Sequence, residues 1–488
     1  MSDQRVAEPR PTPRARPLHV DPPGRAGREP DRAAAALRHV VAVALGTIVY
    51  ALSLHWVYAH LVTVPFAYAG FTYRAATGQA TVATVAIACA VAVTLPSRPS
   101  RVSHVVLWVL FVVGVAPAIL MVAYTGYLQA HEAVLASATV AAAFGVATVG
   151  TRVLDERQRT AGPPGPSPFA PADGPDGAGR RRFPPSAALW TVCGLHTALT
   201  YGVMAATTGI SLRVVALDDV YDVRAVYKEE VQGDAGLLGY LLSGQANVVN
   251  TLLMARGLSR RNVPLMALGV LGQLVLYSGT GFKTILFSFP AVLLIALATQ
   301  LTRGRVRAPG LAYVVAPVVL MVVAAAADEV QGGILWTSLF ARRFLITPGV
   351  LTSVYVDFFG ENPPAMLGRS VLRWWVDYPY DRSIPMEVGQ YLQPGGALAA
   401  NANLFADGFA NFGHVGVLTT GAVLLAFLRF VDWTARGLPL TVGAMVMMMP
   451  SITLSNTSLP TAMLSHGLAL GTLVLAVAPR GGWSRPTR

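Results

Sequence analysis

Cysteine and lysine are nearly missing from this 488-residue chain. Cys89 and Cys193 both lie inside apolar runs, which excludes an extracellular disulfide framework and a cysteine-based metal site. The lysines are Lys228 and Lys283 alone, so almost every cation is an arginine. Charged residues of both signs make up 13% of the chain, far below the roughly 25% of soluble domains. Ten-residue segments of alternating polarity are absent, which argues against an outer-membrane barrel. No His/Glu zinc pattern, serine nucleophile elbow or phosphate-binding G-x-x-x-x-G-K-[ST] loop occurs. Residues 1–38 lack the short apolar core and small-residue cleavage site of a secretory signal, and read as a disordered cytoplasmic tail.

Apolar sequence fills the space those absences leave. Hydrophobic residues are 53% of the chain. Twelve windows reach or approach the ~20 residues a helix needs to cross a bilayer: 37–60, 78–96, 103–124, 132–151, 187–209, 235–255, 263–279, 284–302, 309–327, 413–430, 438–454 and 460–479. The expected fold is an all-α polytopic membrane protein with about 12 transmembrane helices and one large helical extracytoplasmic loop. Its parts are a tail (1–36), a four-helix segment (37–151), a Pro/Gly/Arg-rich linker (152–186), a central membrane segment (187–327), the outer loop (328–412), a C-terminal membrane segment (413–479) and a second tail (480–488).

The net charge of +12 is distributed by side. With the N-terminus inside, about 27 of the 37 cations fall in cytoplasmic segments, as the positive-inside rule requires. Both termini are then cytoplasmic, and the charge implies membrane orientation, with no nucleic-acid partner. The exceptions are informative: Lys228, Lys283, Arg213, Arg224, Arg342, Arg343, Arg369, Arg373 and Arg382 all fall outside. A cationic cluster beside a membrane suits an anionic, lipid-anchored ligand. Charge balance is the competing reading, because the same loops carry Asp218, Asp219, Asp222, Glu229, Glu230, Asp357, Glu361, Asp377, Asp381, Glu387 and Asp407. The Asp218–Asp219 pair in 217–230 could hold a divalent cation, but no third ligand accompanies it, and no metal or cofactor is expected.

The outer loop has internal order. In "PGVLTSVYVDFFGENPP" (348–364), apolar pairs recur every four residues, predicting an amphipathic helix along the membrane surface, with Thr347 as N-cap and Pro348 at its first position. Before it, "ILWTSLFARRFLI" sets Trp336, Phe340 and Phe344 on one face and Arg342 and Arg343 on another. In "NANLFADGFANFG" (401–413), Phe405, Phe409 and Phe412 share one helical face; Asn403, Asp407 and Asn411 share another, and His414 extends that row. Such a stripe suits sugar hydroxyls, or it caps loop backbone at the interface. "YSGTGFKT" (277–284) is a tight turn that sets Lys283 at the outer lip.

Taken in order, "VYDVR", "SGTGFKT", "RRFLITPGVLTSVYVDFFGENPPAMLGRSVL", "NANLFADGFANFGHVGVL" and "SNTSLPTAMLSHGLAL" resemble the bacterial O-antigen and oligosaccharide repeat-unit polymerases, the Wzy-type family. The likeness covers roughly residues 35–480, the first four spans by hydropathy alone. It implies an architecture similar to C-type glycosyltransferases. It also implies an activity, joining oligosaccharides carried on undecaprenyl diphosphate at the outer face of the bacterial cytoplasmic membrane, without nucleotide sugar or required metal. Partners implied are lipid-linked oligosaccharides, membrane lipids, and flippase and chain-length regulator proteins. By that resemblance Arg342, Arg343, Lys283 and Arg224 stand at the diphosphate; Lys228, in the same outer loop as Arg224, is a further substrate-binding candidate. Asp407 or His414 is then the candidate base, while Asn403 and Asn411 remain substrate-binding candidates from the polar row itself. Arg373, Trp374, Trp375, Tyr378 and Tyr380 form a sugar platform or an interfacial anchor. Ligase relatives carry a candidate catalytic His in the large outer loop, whereas 328–413 contains none and His414 stands at its boundary. A lipid-linked glycan flippase, a ligase-type transferase and an envelope scaffold are the other readings.

Overall fold

The computed structural model describes residues 28–160, 185–212, 236–301, 309–370, 372–481 and 483. The described residues contain helices and no β-strand. The N-terminal group comprises α1 (Arg28–Val57), α2 (Gly78–Thr94), α3 (Val102–Leu110), α4 (Ala116–Leu120) and α5 (Ala130–Thr160). The central group comprises α6 (Pro185–Thr207), α7 (Gly236–Gly244), α8 (Asn250–Arg260), α9 (Val263–Thr280), α10 (Lys283–Leu301) and α11 (Pro309–Gln331). The C-terminal group comprises α12 (Thr347–Glu361), α13 (Ile384–Leu392), α14 (Leu404–Thr434), α15 (Leu440–Ile452), α16 (Leu459–Ser465) and α17 (Leu468–Val477).

The most apolar segment lies deepest. α3 and α4 join through a π-helical turn, Phe111–Val115, into one rod, Val102–Ala123, buried along nearly its whole length. Around it, exposed aliphatics such as Leu37, Leu45, Leu52, Val82, Val322 and Val323 point away from the bundle. So much outward apolar surface belongs in lipid. Among the described residues, six helices are long and apolar enough to cross a membrane, seven if the bent pair α16–α17 is one span. This is a helical membrane protein.

Polar contacts sort the helix ends into two sets. At one end, Asp155 of α5 binds Arg101 (3.1 Å), His104 (3.1 Å) and Arg429 (2.7 Å). Nearby, Asp432 accepts the Ser103 hydroxyl at 2.6 Å, Arg152 donates to the Leu95 carbonyl, and Arg480 donates to that of Thr434. At the other end, Tyr127 donates to Gly70, Tyr391 to Asp357, and Leu367 N–H to Asn411. Arg101, Arg152, Arg429 and Arg480 thus lie with the first set, and the 357–411 segment with the second. The Asp155 cluster also explains one difference from the sequence reading. α5 runs on to Thr160, into the stretch read as linker, because Asp155 and Gln158 hold it against Arg101.

The last two apolar windows, 438–454 and 460–479, make a shorter hairpin than two full spans. α15 has 13 residues, about 20 Å, and α17 has 10, about 15 Å, against a hydrocarbon core of about 30 Å. α16 and α17 are bent by 65°. The break at Ser455 packs against Gly114, midway along the central rod.

α14 is a hairpin, which the continuous apolar pattern conceals. Phe412 (φ −146°) and Gly413 (φ 59°) interrupt it, and the chain reverses there. A Cβ on Gly408 would lie 2.8 Å from the Gly416 carbonyl, a contact impossible in a straight helix, where eight residues rise about 12 Å. Residues 404–411 thus form a short first arm against the long second arm, 414–434. Gly416→Val should drive the arms apart and cost roughly 1–3 kcal/mol, read as a lowered unfolding temperature of the purified protein.

The second arm is about 31 Å long, one hydrocarbon thickness. His414 near its top pairs with Thr139 of α5 at 3.0 Å. Phe405 packs edge-on against Phe144, five residues further along α5, so the first arm begins about 8 Å below the level of His414 and rises to it. α12 does the same. Gly349 meets the Pro117 carbonyl and Met121, and Pro117 lies about 9 Å below the end of the central rod. The expectation of a surface-lying helix over 348–364 is corrected accordingly. Pro348–Tyr355 and Phe359 are buried, because all faces of the apolar first half find partners on α4 and α14.

Candidate functional site

The segment carrying Arg342 and Arg343 is a ten-residue π-helix, Thr337–Ile346. Asp328, near the end of α11, starts it by accepting the backbone N–H groups of Trp336 (2.8 Å) and Thr337 (2.7 Å). Trp336 stacks on Phe340 with planes 3° apart, and Phe340 meets Phe287 of α10 edge-on. Thr347 is the first residue of α12 and its hydroxyl donates to the Arg342 carbonyl at 2.7 Å, so it braces the π-helix and is not the N-cap expected. π-Helical turns are rare and are frequently found at functional sites.

The two arginines have different surroundings. Arg342 donates Nε and Nη2 to Ser338 Oγ, at 3.1 and 2.7 Å, and lies over the Phe66 ring, 4.0 Å from its centroid, with Phe71 at 5.7 Å. Its plane is fixed on three sides. Arg343 is exposed. Lys283 is the first residue of α10, after the Gly281 turn (φ 63°), and stands one helical turn before Phe287. The Phe287–Phe340 contact therefore brings the element bearing Lys283 beside the one bearing both arginines. Arg224 and Lys228, with the rest of 213–235, lie outside the described residues.

Among the described residues, Arg343, Arg369, Arg373 and Arg382 make no ion pair; every ion pair there converges on Asp155, at the opposite end. The acids near the arginines serve other groups. Asp328 caps backbone, Glu387 accepts the Arg382 N–H at 2.8 Å, and Asp357 accepts the Tyr391 hydroxyl at 2.7 Å. These four cations are therefore not neutralised by a direct ion pair among the described residues. The Asp357 bond holds the Tyr391 phenol protonated, with burial adding to it, and pushes its pKa up to about 12. The folded state then keeps a proton that the unfolded chain has lost, so this contribution is full below about pH 10 and disappears as pH rises to about 12. Asp357→Asn should return the Tyr391 transition toward the ordinary tyrosine range, read in a phenolate absorbance titration against Tyr391→Phe.

The polar row on the first arm of α14 is real, and two of its members are structural. Asn403 is fully buried. Its Oδ1 accepts the N–H groups of Phe405 (3.0 Å) and Ala406 (3.1 Å), while Nδ2 donates to the Pro348 carbonyl (3.0 Å) and Thr352 Oγ1 (2.8 Å). Every polar valence it has is used within the fold. Asn411 accepts from Leu367 N–H at 2.8 Å and donates to the Asp407 carbonyl at 2.8 Å. Asp407, between them, is half-buried, with Asn411 Nδ2 3.5 Å from its Oδ2. His414 does not extend the row. It lies past the reversal, bonded to Thr139 and edge-on to Phe409 at 5.2 Å, facing α5.

Of the aromatic group in 372–380, Tyr378 donates to the Arg382 carbonyl at 2.7 Å and lies under Arg369, while Arg373 sits 4.6 Å over Trp374. Sequence reasoning missed Phe66 and Phe71, which seat Arg342, because nothing local pairs the 63–77 loop with residue 342. It also missed Ser338, whose four-residue offset from Arg342 was a usable signal. Among the described residues no three His, Cys, Asp or Glu side chains gather as a metal site. No protein-family model, no curated protein and no solved structure matches this chain.

Proposed function

We propose that the protein is a polyprenyl-diphosphate-dependent glycosyltransferase of the Wzy type, which extends a surface polysaccharide by joining lipid-linked oligosaccharide repeat units. In this reading twelve helices or half-helices sit in the bacterial cytoplasmic membrane with both termini inside, in an architecture like that of C-type glycosyltransferases. The Asn403 end then faces outward. A hydroxyl oxygen of the acceptor sugar attacks the anomeric carbon of the donor. The bond from that carbon to the diphosphate oxygen breaks, and the diphosphate leaves with the electron pair. Arg343 and Arg342, with Lys283 and Arg224, take up the developing charge. The hydroxyl proton passes to a base, for which Asp407 is the candidate on the arm that meets α12.

One observation carries the proposal. Arg343 is exposed and without an ion pair among the described residues, beside an Arg342 held rigid, on a π-helix that leads into α12. In this reading that segment stands at the level of a lipid's phosphates. The exposed cations Arg343, Arg369, Arg373 and Arg382 gather at one end of the bundle, as catalysis at one surface would place them. The test is the size profile of lipid-linked and surface glycans in a deletion strain. Single repeat units at the surface with long chains missing support the proposal. Complete units held on the cytoplasmic side would indicate a flippase, and an unchanged profile a scaffold.

A further inference from the structure

The two most exposed tryptophans stand side by side, Trp374 at 75% and Trp375 at 77%. Met366, also exposed at 43%, belongs to the same loop. Single exposed apolar residues are ordinary, but two adjacent bare indoles require an explanation. The loop holding them is not loose. Met366 (φ 50°) and Leu367 (φ 56°) adopt the left-handed conformation, which side chains with a Cβ avoid. Three bonds to the first arm of α14 keep them there: Ala365 N–H to the Ala410 carbonyl (2.9 Å), Met366 N–H to that of Asn411 (3.3 Å), and Leu367 N–H to Asn411 Oδ1 (2.8 Å). Tyr380 donates to the Pro363 carbonyl and its ring packs on Phe358 and Phe359, closing the loop at its other side.

The clamp fixes a height. Asn411 adjoins the Phe412–Gly413 reversal, and the arm from His414 to Thr434 measures one hydrocarbon thickness, about 31 Å. A span of that length sets the reversal, and the loop bonded beside it, at the boundary between hydrocarbon and headgroups. Indoles prefer that boundary, where the ring is out of water and the N–H remains wet. The nearby cations suit phosphates: Arg373 stacks on Trp374 at 4.6 Å, and neither Arg369 nor Arg373 has an ion pair among the described residues.

We infer that the 362–383 loop is a bilayer anchor, in which Trp374 and Trp375 enter the headgroup region at the Asn403 end and Arg373 meets lipid phosphate. The surface is then a lipid-docking one rather than a sugar platform, and the inference does not depend on the transferase reading. Anchoring here would also hold the first arm of α14, and with it Asp407, at a set depth.

The full-length protein in vesicles of phosphatidylcholine and phosphatidylglycerol provides the test, by difference emission between wild type and Trp374→Phe/Trp375→Phe. The two indoles are among eight in the chain and lie outside the packed core, so the fold should survive the change. The difference signal should be quenched by lipids brominated near the headgroup and shielded from aqueous iodide. If the double variant is not recovered, Trp375→Phe alone gives the same reading at smaller amplitude. A signal quenched by iodide and untouched by bromolipid would overturn the anchor. So would one that becomes shielded only when lipid-linked oligosaccharide is added, which would make the indoles a sugar platform.

Discussion

Arg343→Ala should leave the protein folded and inserted while lowering chain extension roughly 10²-fold or more, the loss seen when one donor to a developing oxyanion is removed. The side chain is exposed and makes no ion pair among the described residues, so little of the fold depends on it. Arg343→Lys should recover part of the rate, because charge is kept while the planar, two-pronged donor geometry is lost. Arg342→Ala should differ in kind. It removes the stack on Phe66 and both bonds to Ser338, so it should lower stability by about 1 kcal/mol as well as activity. Polymer length in cells, beside the melting temperature of each purified variant, separates the two. Normal polymer from inserted Arg343→Ala would remove the diphosphate role of this arginine.

Asn403→Ala should be the most destabilising single polar substitution at this end of the bundle. It deletes the acceptor for two backbone N–H groups at the start of α14 and two donors to α12, all inside a fully buried site. Loss of the cap alone costs about 1 kcal/mol, and a stranded buried carbonyl about 1–3 kcal/mol more. The sum, roughly 2–4 kcal/mol, should appear as a large fall in thermal stability. Asn403→Ser keeps an oxygen for the cap and should fall between the two. A ligand-binding Asn403 would behave oppositely, with stability kept and substrate affinity lost.

These two residues show where sequence reasoning reaches its limit. Asn403 and Arg343 were both legible as polar groups on helical faces at the edge of apolar runs. Their roles were not, because role depends on what lies opposite. Asn403 finds the α12 backbone, 55 residues earlier in the chain, and becomes a structural clamp. The apolar windows were legible because hydropathy is summed along the chain, and each holds helix in the structure. The α14 reversal was hidden, since Gly413 inside a helical pattern gives no stop signal of its own and Phe and Asn keep their spacing up to it. His414 was added to the polar row for that reason. The downward course of α12 was hidden similarly. Amphipathic spacing says that a face is buried, and it does not distinguish lipid from protein as the cover.

Reconstituted protein supplied with purified polyprenyl-diphosphate repeat units, and no nucleotide sugar, tests the transferase claim most directly. A transferase should give a ladder of lengthened lipid-linked chains and free polyprenyl diphosphate released once per bond formed, and Arg343→Ala should give neither. Wild-type protein that binds these units but yields no ladder and no released diphosphate would contradict it.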